Sequence, residues 1–181
     1  MCTDTGTLLI FDEIQTGVGR TGTFSVAEQY DIVPDLVTLA KSLGSGIPVG
    51  ATLVHDDLLP SIEYGDQGST FGGGMIAMAA VEATLQTIID DGLMSRAPEV
   101  FHSIQVITGA HVRAVRGRGC LIGLDFGRPC AGVLSALRDN GVLAGGSGDP
   151  NVMRLMPPLI TTEKELSCFA DAFEESVTQH H

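Results

Sequence analysis

The stretch LLIFDEIQTGVGRTG, Leu8 to Gly22, decides how the rest of the chain is read. An apolar run ending in Phe11 leads straight into two acids, Asp12 and Glu13, and then into a glycine-rich turn carrying Arg20. A short apolar run bounded by turn residues predicts a strand buried on both faces. Its acids then stand at the carboxyl end, where open α/β sheets bind their ligands. The plainer alternative is an ion pair between neighbouring strand ends.

Working outward, DLVTLA (Asp35–Ala40) and VGATLVH (Val49–His55) have strand composition, and Lys41 ends the first of them. Between the strands, SVAEQYDIVP predicts a short helix closed before Pro34. Strands joined by helical or irregular crossovers predict an α/β layer with a largely parallel sheet. MIAMAAVEATLQTIID (Met75–Asp90) carries apolar residues at helical spacing, with Gly92 as a C-terminal stop. APEVFHSIQVITGAH predicts another helix. Beyond it the texture becomes strand, helix, strand, helix, and Thr162 with Glu165 forms a capping box before the last helix. A boundary between two domains is expected near residue 98.

The 181 residues carry a formal charge of −12 and are 44% hydrophobic, with a mean hydropathy of +0.25. That balance supports a folded core and argues against nucleic acid or an anionic membrane as partner. The four cysteines are scattered without a C-x-x-C pair, so neither a zinc site nor a disulfide framework is expected. No apolar run reaches the roughly 18–20 residues of a membrane span. The opening MCTDTGTLLIF lacks the basic region of a secretory signal, and the cytoplasm is the expected address.

Taken together, DEIQTGVGRTG, the lysine of TLAKSLGSG and the threonine of GSTFGG resemble the class III aminotransferases, fold-type-I enzymes of pyridoxal 5′-phosphate. GVGRTG alone is a weak signal, because it lacks the GK[ST] ending of a Walker loop. VRGRGCLIGLDF and MRLMPPLITT are similar to the same family's C-terminal domain. The resemblance implies an α/β fold: residues 1–98 as part of the large cofactor domain, with a mostly parallel sheet and helices, and residues 99–181 as a small α+β C-terminal domain.

It also implies roles. Asp12 would keep the cofactor's pyridine nitrogen protonated, since a carboxylate beside a base favours its charged form. Gln15 would bond the ring's phenolic oxygen. Lys41 would form the internal Schiff base and then carry the proton from the substrate. Thr70 would reach the cofactor phosphate of a neighbouring subunit, which implies a homodimer. Arg154 would hold the substrate carboxylate with its planar fork. Glu13 and Arg20 are assigned to loop and interface structure. The implied reaction moves an amino group from an acetylornithine- or ornithine-type donor to 2-oxoglutarate, with 4-aminobutyrate and diaminobutyrate donors left open.

Two departures from the family pattern stand out. Gly74 and Met75 occupy positions where the family commonly has asparagine and proline. Members are also longer upstream of the aspartate strand, where they carry a phosphate turn, an aromatic that stacks on the cofactor and a gating glutamate. The resemblance therefore corresponds to a C-terminal half. Half of a split enzyme and a non-catalytic remnant stay open beside the enzyme reading.

Overall fold

A computed structural model describes residues 2–180, the side chain of Thr3 excepted; Met1 and His181 lie outside the described residues. The chain divides into two units, Met1–Met94 and Ser95–His181.

In the first unit, a short helix α1 (Cys2–Thr5) precedes strands β1 (Ile10–Asp12), β2 (Leu36–Leu39) and β3 (Ala51–Val54), in sheet order β1-β2-β3. β1 and β2 run parallel, with Ile10 opposite Leu36 and Asp12 opposite Thr38. Their connection passes through the glycine-rich turn and a 3-10 helix, Val26–Tyr30. That helix opens on a capping box of Ser25 with Glu28 and closes at Asp31, which is left-handed.

The sheet is mixed, because β3 pairs antiparallel with β2. A parallel crossover needs a dozen or more residues, usually including a helix. The link between β2 and β3 holds only the 3-10 turn Lys41–Gly44, so the chain reverses. β1 is an edge strand whose Leu8 and Ile10 are 53% and 57% exposed, unlike the buried strand its composition predicts. Helix α2 (Met75–Asp90) packs on the Lys41–Gly44 turn and ends before Gly92 at φ +60°.

The second unit contains most of helix α3 (Leu93–Thr108), strands β4 (Ala114–Arg118) and β5 (Leu121–Asp125), helix α4 (Ala131–Asp139), strand β6 (Val152–Leu155) and helix α5 (Glu163–Thr178). The strands form an antiparallel sheet in the order β4-β5-β6. Gly117, at φ +131°, is required next to the β4–β5 turn. A Cβ there would lie 2.0 Å from the carbonyl oxygen of Leu121.

Side chains alternate across these strands as the pleat demands. Ile122, Leu124, Met153 and Leu155 are buried in one core with Leu137 and Phe173. Phe173 lies 5.5 Å from the ring of Phe169 and 6.3 Å from that of Phe126. The opposite face carries Arg116, Gly123 and Arg154 in one cross-strand row. The capping box of α5 forms as its sequence predicts, with Glu165 accepting from the Thr162 amide at 2.7 Å.

Candidate active site

Asp12 closes β1 and Lys41 follows the end of β2, so the pair stands at the carboxyl ends of two adjacent parallel strands. The Asp12 carboxylate accepts from the Ile14 amide and the Thr38 hydroxyl, each at 3.1 Å, and is otherwise open to solvent. Lys41 is exposed and sits at φ +48°. For a residue with a Cβ this left-handed backbone costs about 1–2 kcal/mol, and such outliers gather where function requires them. No side chain among the described residues pairs with its amine. The strand-end ion pair that spacing alone allowed is absent there.

Glu13, the second acid, is buried at 1% exposure and holds the glycine-rich loop. One carboxylate oxygen accepts from the Ser25 hydroxyl (2.6 Å) and from the Val26 and Ala27 amides (2.6 and 3.3 Å). The other accepts from the Thr16 hydroxyl at 2.5 Å. A buried carboxylate needs such donors to offset its desolvation. The loop closes tightly over it: a Cβ on Gly17 would sit 2.9 Å from the Glu13 carbonyl oxygen. Glu13 thereby fixes the loop that carries Gln15, a half-buried side chain with no hydrogen-bond partner among the described residues.

Thr70 lies in the exposed segment ahead of α2, its hydroxyl also without a partner among the described residues. The glycine amides around it are partly committed within the turn. Gly72 donates to the Ser69 hydroxyl at 3.0 Å and Gly74 to the Phe71 carbonyl at 3.2 Å. Gly74 caps α2 without a side-chain hydrogen bond.

In the second unit, Arg154 is exposed on the open face of β6, between buried Met153 and Leu155. No hydrogen bond or ion pair engages its guanidinium among the described residues. It lies over bare backbone: a Cβ on Gly145 would meet its Nη2 at 3.7 Å and its Nε at 3.8 Å. On the same face, buried Asp125 accepts from Arg113 at 2.6 Å and from Arg116 at 2.5 Å. The Arg113 hydrogen bond, then the Gly127 amide, hold the Asp125 carboxyl below its ordinary range. Sequence reading passed over this cluster, although its signal is the period-two spacing of Arg116, Arg118, Gly123 and Asp125.

The first unit sets a carboxylate and an unpaired amine at the ends of adjacent strands, with an amide side chain on the loop that follows β1. A partnerless hydroxyl lies on the segment leading into the helix packed on the lysine turn. That donor set suits a ring with a basic nitrogen, an aldehyde and a phosphate. The class III aminotransferase family model matches residues 1–177.

The chain belongs to the class III aminotransferases. Acetylornithine aminotransferase of Bacillus cereus is 43% identical over 173 residues, 92% of this chain and 44% of that protein. The mitochondrial acetylornithine aminotransferase of Alnus glutinosa is 39% identical over 94% of this chain and 39% of its own length. Among solved structures, the Elizabethkingia anophelis acetylornithine aminotransferase superposes with a TM-score of 0.88 at 32% identity, covering 98% of this chain and 49% of that one. An ornithine aminotransferase of Toxoplasma gondii gives 0.87 at 30% identity over 98% of this chain and 44% of its own.

This class III aminotransferase chain thus spans less than half the length of the curated relatives named here. Family membership implies pyridoxal phosphate as cofactor. No described helix is long and apolar enough to cross a membrane.

Proposed function

We propose that this chain carries the lysine-bearing part of an acetylornithine- or ornithine-type aminotransferase that passes the amino group to 2-oxoglutarate. The observation that carries the reading is the pair Asp12 and Lys41 at the carboxyl ends of adjacent parallel strands. Residues 1–98 form part of the cofactor domain in this reading, and residues 99–181 the small C-terminal domain. The chain acts in the cytoplasm as a homodimer. The donor preference follows the relatives named above, which are mostly acetylornithine enzymes.

When bound, pyridoxal phosphate supplies the electron sink that makes a substrate Cα–H bond acidic. Asp12 holds the proton on the ring nitrogen, a charge a neighbouring carboxylate stabilises. Gln15 donates to the phenolic oxygen. Thr70 donates its hydroxyl to a phosphate oxygen, across the dimer interface. The Lys41 amine would hold the cofactor covalently and, as a free amine, would take the proton from the substrate Cα. Arg154 binds the substrate carboxylate through its two-pronged fork.

The test is incubation with pyridoxal phosphate, borohydride trapping and peptide mapping. A trapped adduct on the Lys41 peptide, absent from Lys41→Ala, is expected. A folded chain whose label spreads over other lysines, or that takes none, would sink the reading.

One observation favours a second element. Nearly all the large apolar side chains exposed among the described residues lie in the first unit, including Phe71, Met75 and Ile76. This supports a reading in which these residues work beside further polypeptide, as in a split enzyme. The 181-residue chain alone is then expected to show no turnover in a coupled glutamate assay with 2-oxoglutarate and saturating cofactor. Lysine-dependent turnover at or above about 1 s⁻¹, within the usual enzyme range, would refute that element.

A further inference from the structure

Asp12 is exposed at the end of an edge strand, so its carboxylate needs something to set its direction. β1 and β2 are parallel neighbours with Asp12 opposite Thr38, and the two side chains stand on one face of the sheet. Backbone pairing fixes that approach: the Glu13 amide donates to the Thr38 carbonyl at 3.0 Å. The Thr38 hydroxyl then reaches Asp12 Oδ1 at 3.1 Å. An ionised carboxylate only accepts, so the hydroxyl is the donor. Thr38 also stands opposite Thr52 of β3 in the same cross-strand row. Threonine pairs across strands commonly bond, yet this hydroxyl is directed to the carboxylate.

A second bond reaches Asp12, from the Ile14 amide at 3.1 Å, and it lands on the same oxygen. Both donors converge on Oδ1, and Oδ2 has no partner among the described residues. The two tethers differ in kind. The Ile14 bond is a local turn, an aspartate side chain accepting from the amide two residues on, and it moves with its own loop. The Thr38 bond crosses to the next strand and ties the carboxylate to the sheet. The terminal torsion of an aspartate is otherwise broad. Held at one oxygen from two directions, the group has its other oxygen aimed.

We propose that Thr38 is a positioning residue for the cofactor: by holding Asp12 Oδ1 it keeps Oδ2 presented to the protonated ring nitrogen. The inference rests on the proposed function for Asp12, and Thr38 acts through that carboxylate. Its contribution is direction. Without the hydroxyl, Asp12 keeps its charge and its Ile14 tether but swings with the loop, and the ring nitrogen loses part of the partner that favours its charged form.

Two variants of the 181-residue chain test it. Thr38→Val removes the hydroxyl but keeps a β-branched side chain that suits a strand, so the sheet is expected to hold, as circular dichroism checks. Thr38→Ser keeps the hydroxyl and is the rescue. The first readout needs no cofactor: three-bond NMR couplings of the Asp12 side chain are expected to show one dominant rotamer in the wild type and in Thr38→Ser, and averaging in Thr38→Val. The second is a pH titration of the absorbance of pyridoxal phosphate trapped on Lys41 by borohydride. A well-aimed carboxylate holds the ring nitrogen protonated to higher pH. Its loss of proton is therefore expected at lower pH in Thr38→Val, by about one unit, the size of a weakened bond to a charged group, and back at the wild-type position in Thr38→Ser.

An Asp12 rotamer as narrow in Thr38→Val as in the wild type, a ring titration that does not move, or a shift that Thr38→Ser fails to reverse would overturn the proposal. Trapping on Lys41 is read separately in each variant. If Lys41 is labelled throughout while the titration stays put, the role of Thr38 falls and the aminotransferase reading stands. If the wild type takes no label on Lys41, that reading falls and the role of Thr38 falls with it.

Discussion

At the scale of single residues, Glu13 matters to the cofactor side of the molecule without being placed in its chemistry. Its two oxygens collect four donors in a buried site. Glu13→Ala would strand those donors, and hydrogen bonds to a buried charged group are worth about 1.5–3 kcal/mol each. A loss of about 2–3 kcal/mol is expected in urea unfolding, after local relaxation. Glu13→Gln should cost less, because its oxygen can still serve Ser25 and Val26 while the Thr16 hydroxyl turns to accept from the amide. Equal losses in both variants would contradict that account. Asp125 gives a pH signature. Its folded carboxyl titrates below the unfolded one, chiefly through the Arg113 hydrogen bond. Its stabilisation is therefore complete above the ordinary carboxylate range and disappears as the pH falls through the folded value. Asp125→Asn is expected to flatten the acid limb of a stability–pH curve; an unchanged limb would assign the acid sensitivity elsewhere. The strand-end placement of Asp12 and Lys41 was legible because strand composition fixes where a strand stops. The Arg116–Asp125 pair was not read, because it depends on the register between strands, which a linear scan does not supply.

At the scale of elements, legibility follows how local the determining physics is. Helix α5 could be read to its first residue, since the Thr162 and Glu165 box is a contact within one turn. Thr162→Ala is expected to cost about 1 kcal/mol, the usual loss for a side-chain N-cap, measured as a lower unfolding midpoint. Helix α2 was equally plain from its spacing. Helix α3 begins at Leu93, upstream of the expected Ala97, only two residues after the end of α2. The direction of β3 was not legible for a different reason: it depends on the length and content of the Ala40–Gly50 link, not on the strand's own composition. For β1, apolar composition predicted burial, but composition states only what a strand would gain from cover. In the described residues Leu8 and Ile10 stay open at the sheet edge.

At the scale of the whole molecule, cohesion is unequal. The second unit closes a continuous apolar cluster from Ala97 to Val177, with Phe173 wholly buried beneath two phenyl rings and the edge of His111. The first unit buries little beyond Val18, Ala27, Leu39, Leu43, Ile88 and Leu93, and every residue from 61 to 76 is exposed. Opening free energies follow buried apolar contact and protected backbone. Hydrogen exchange of the intact chain should therefore be slowest at Ile122–Leu124, Met153–Leu155 and the inner face of α5, and fastest across 61–74. Phe173→Ala removes a fully buried ring, a change that costs about 3–5 kcal/mol in comparable cores. It is expected to strip protection from β5, β6 and α5 together, because the residues around Phe173 share one cluster. If instead only α5 lost protection while β5 and β6 kept theirs, the helices and sheet would not be held by a common core. If residues 61–74 exchanged as slowly as β5, the exposure there would be covered in solution, and mass measured by light scattering would show whether a second copy covers it.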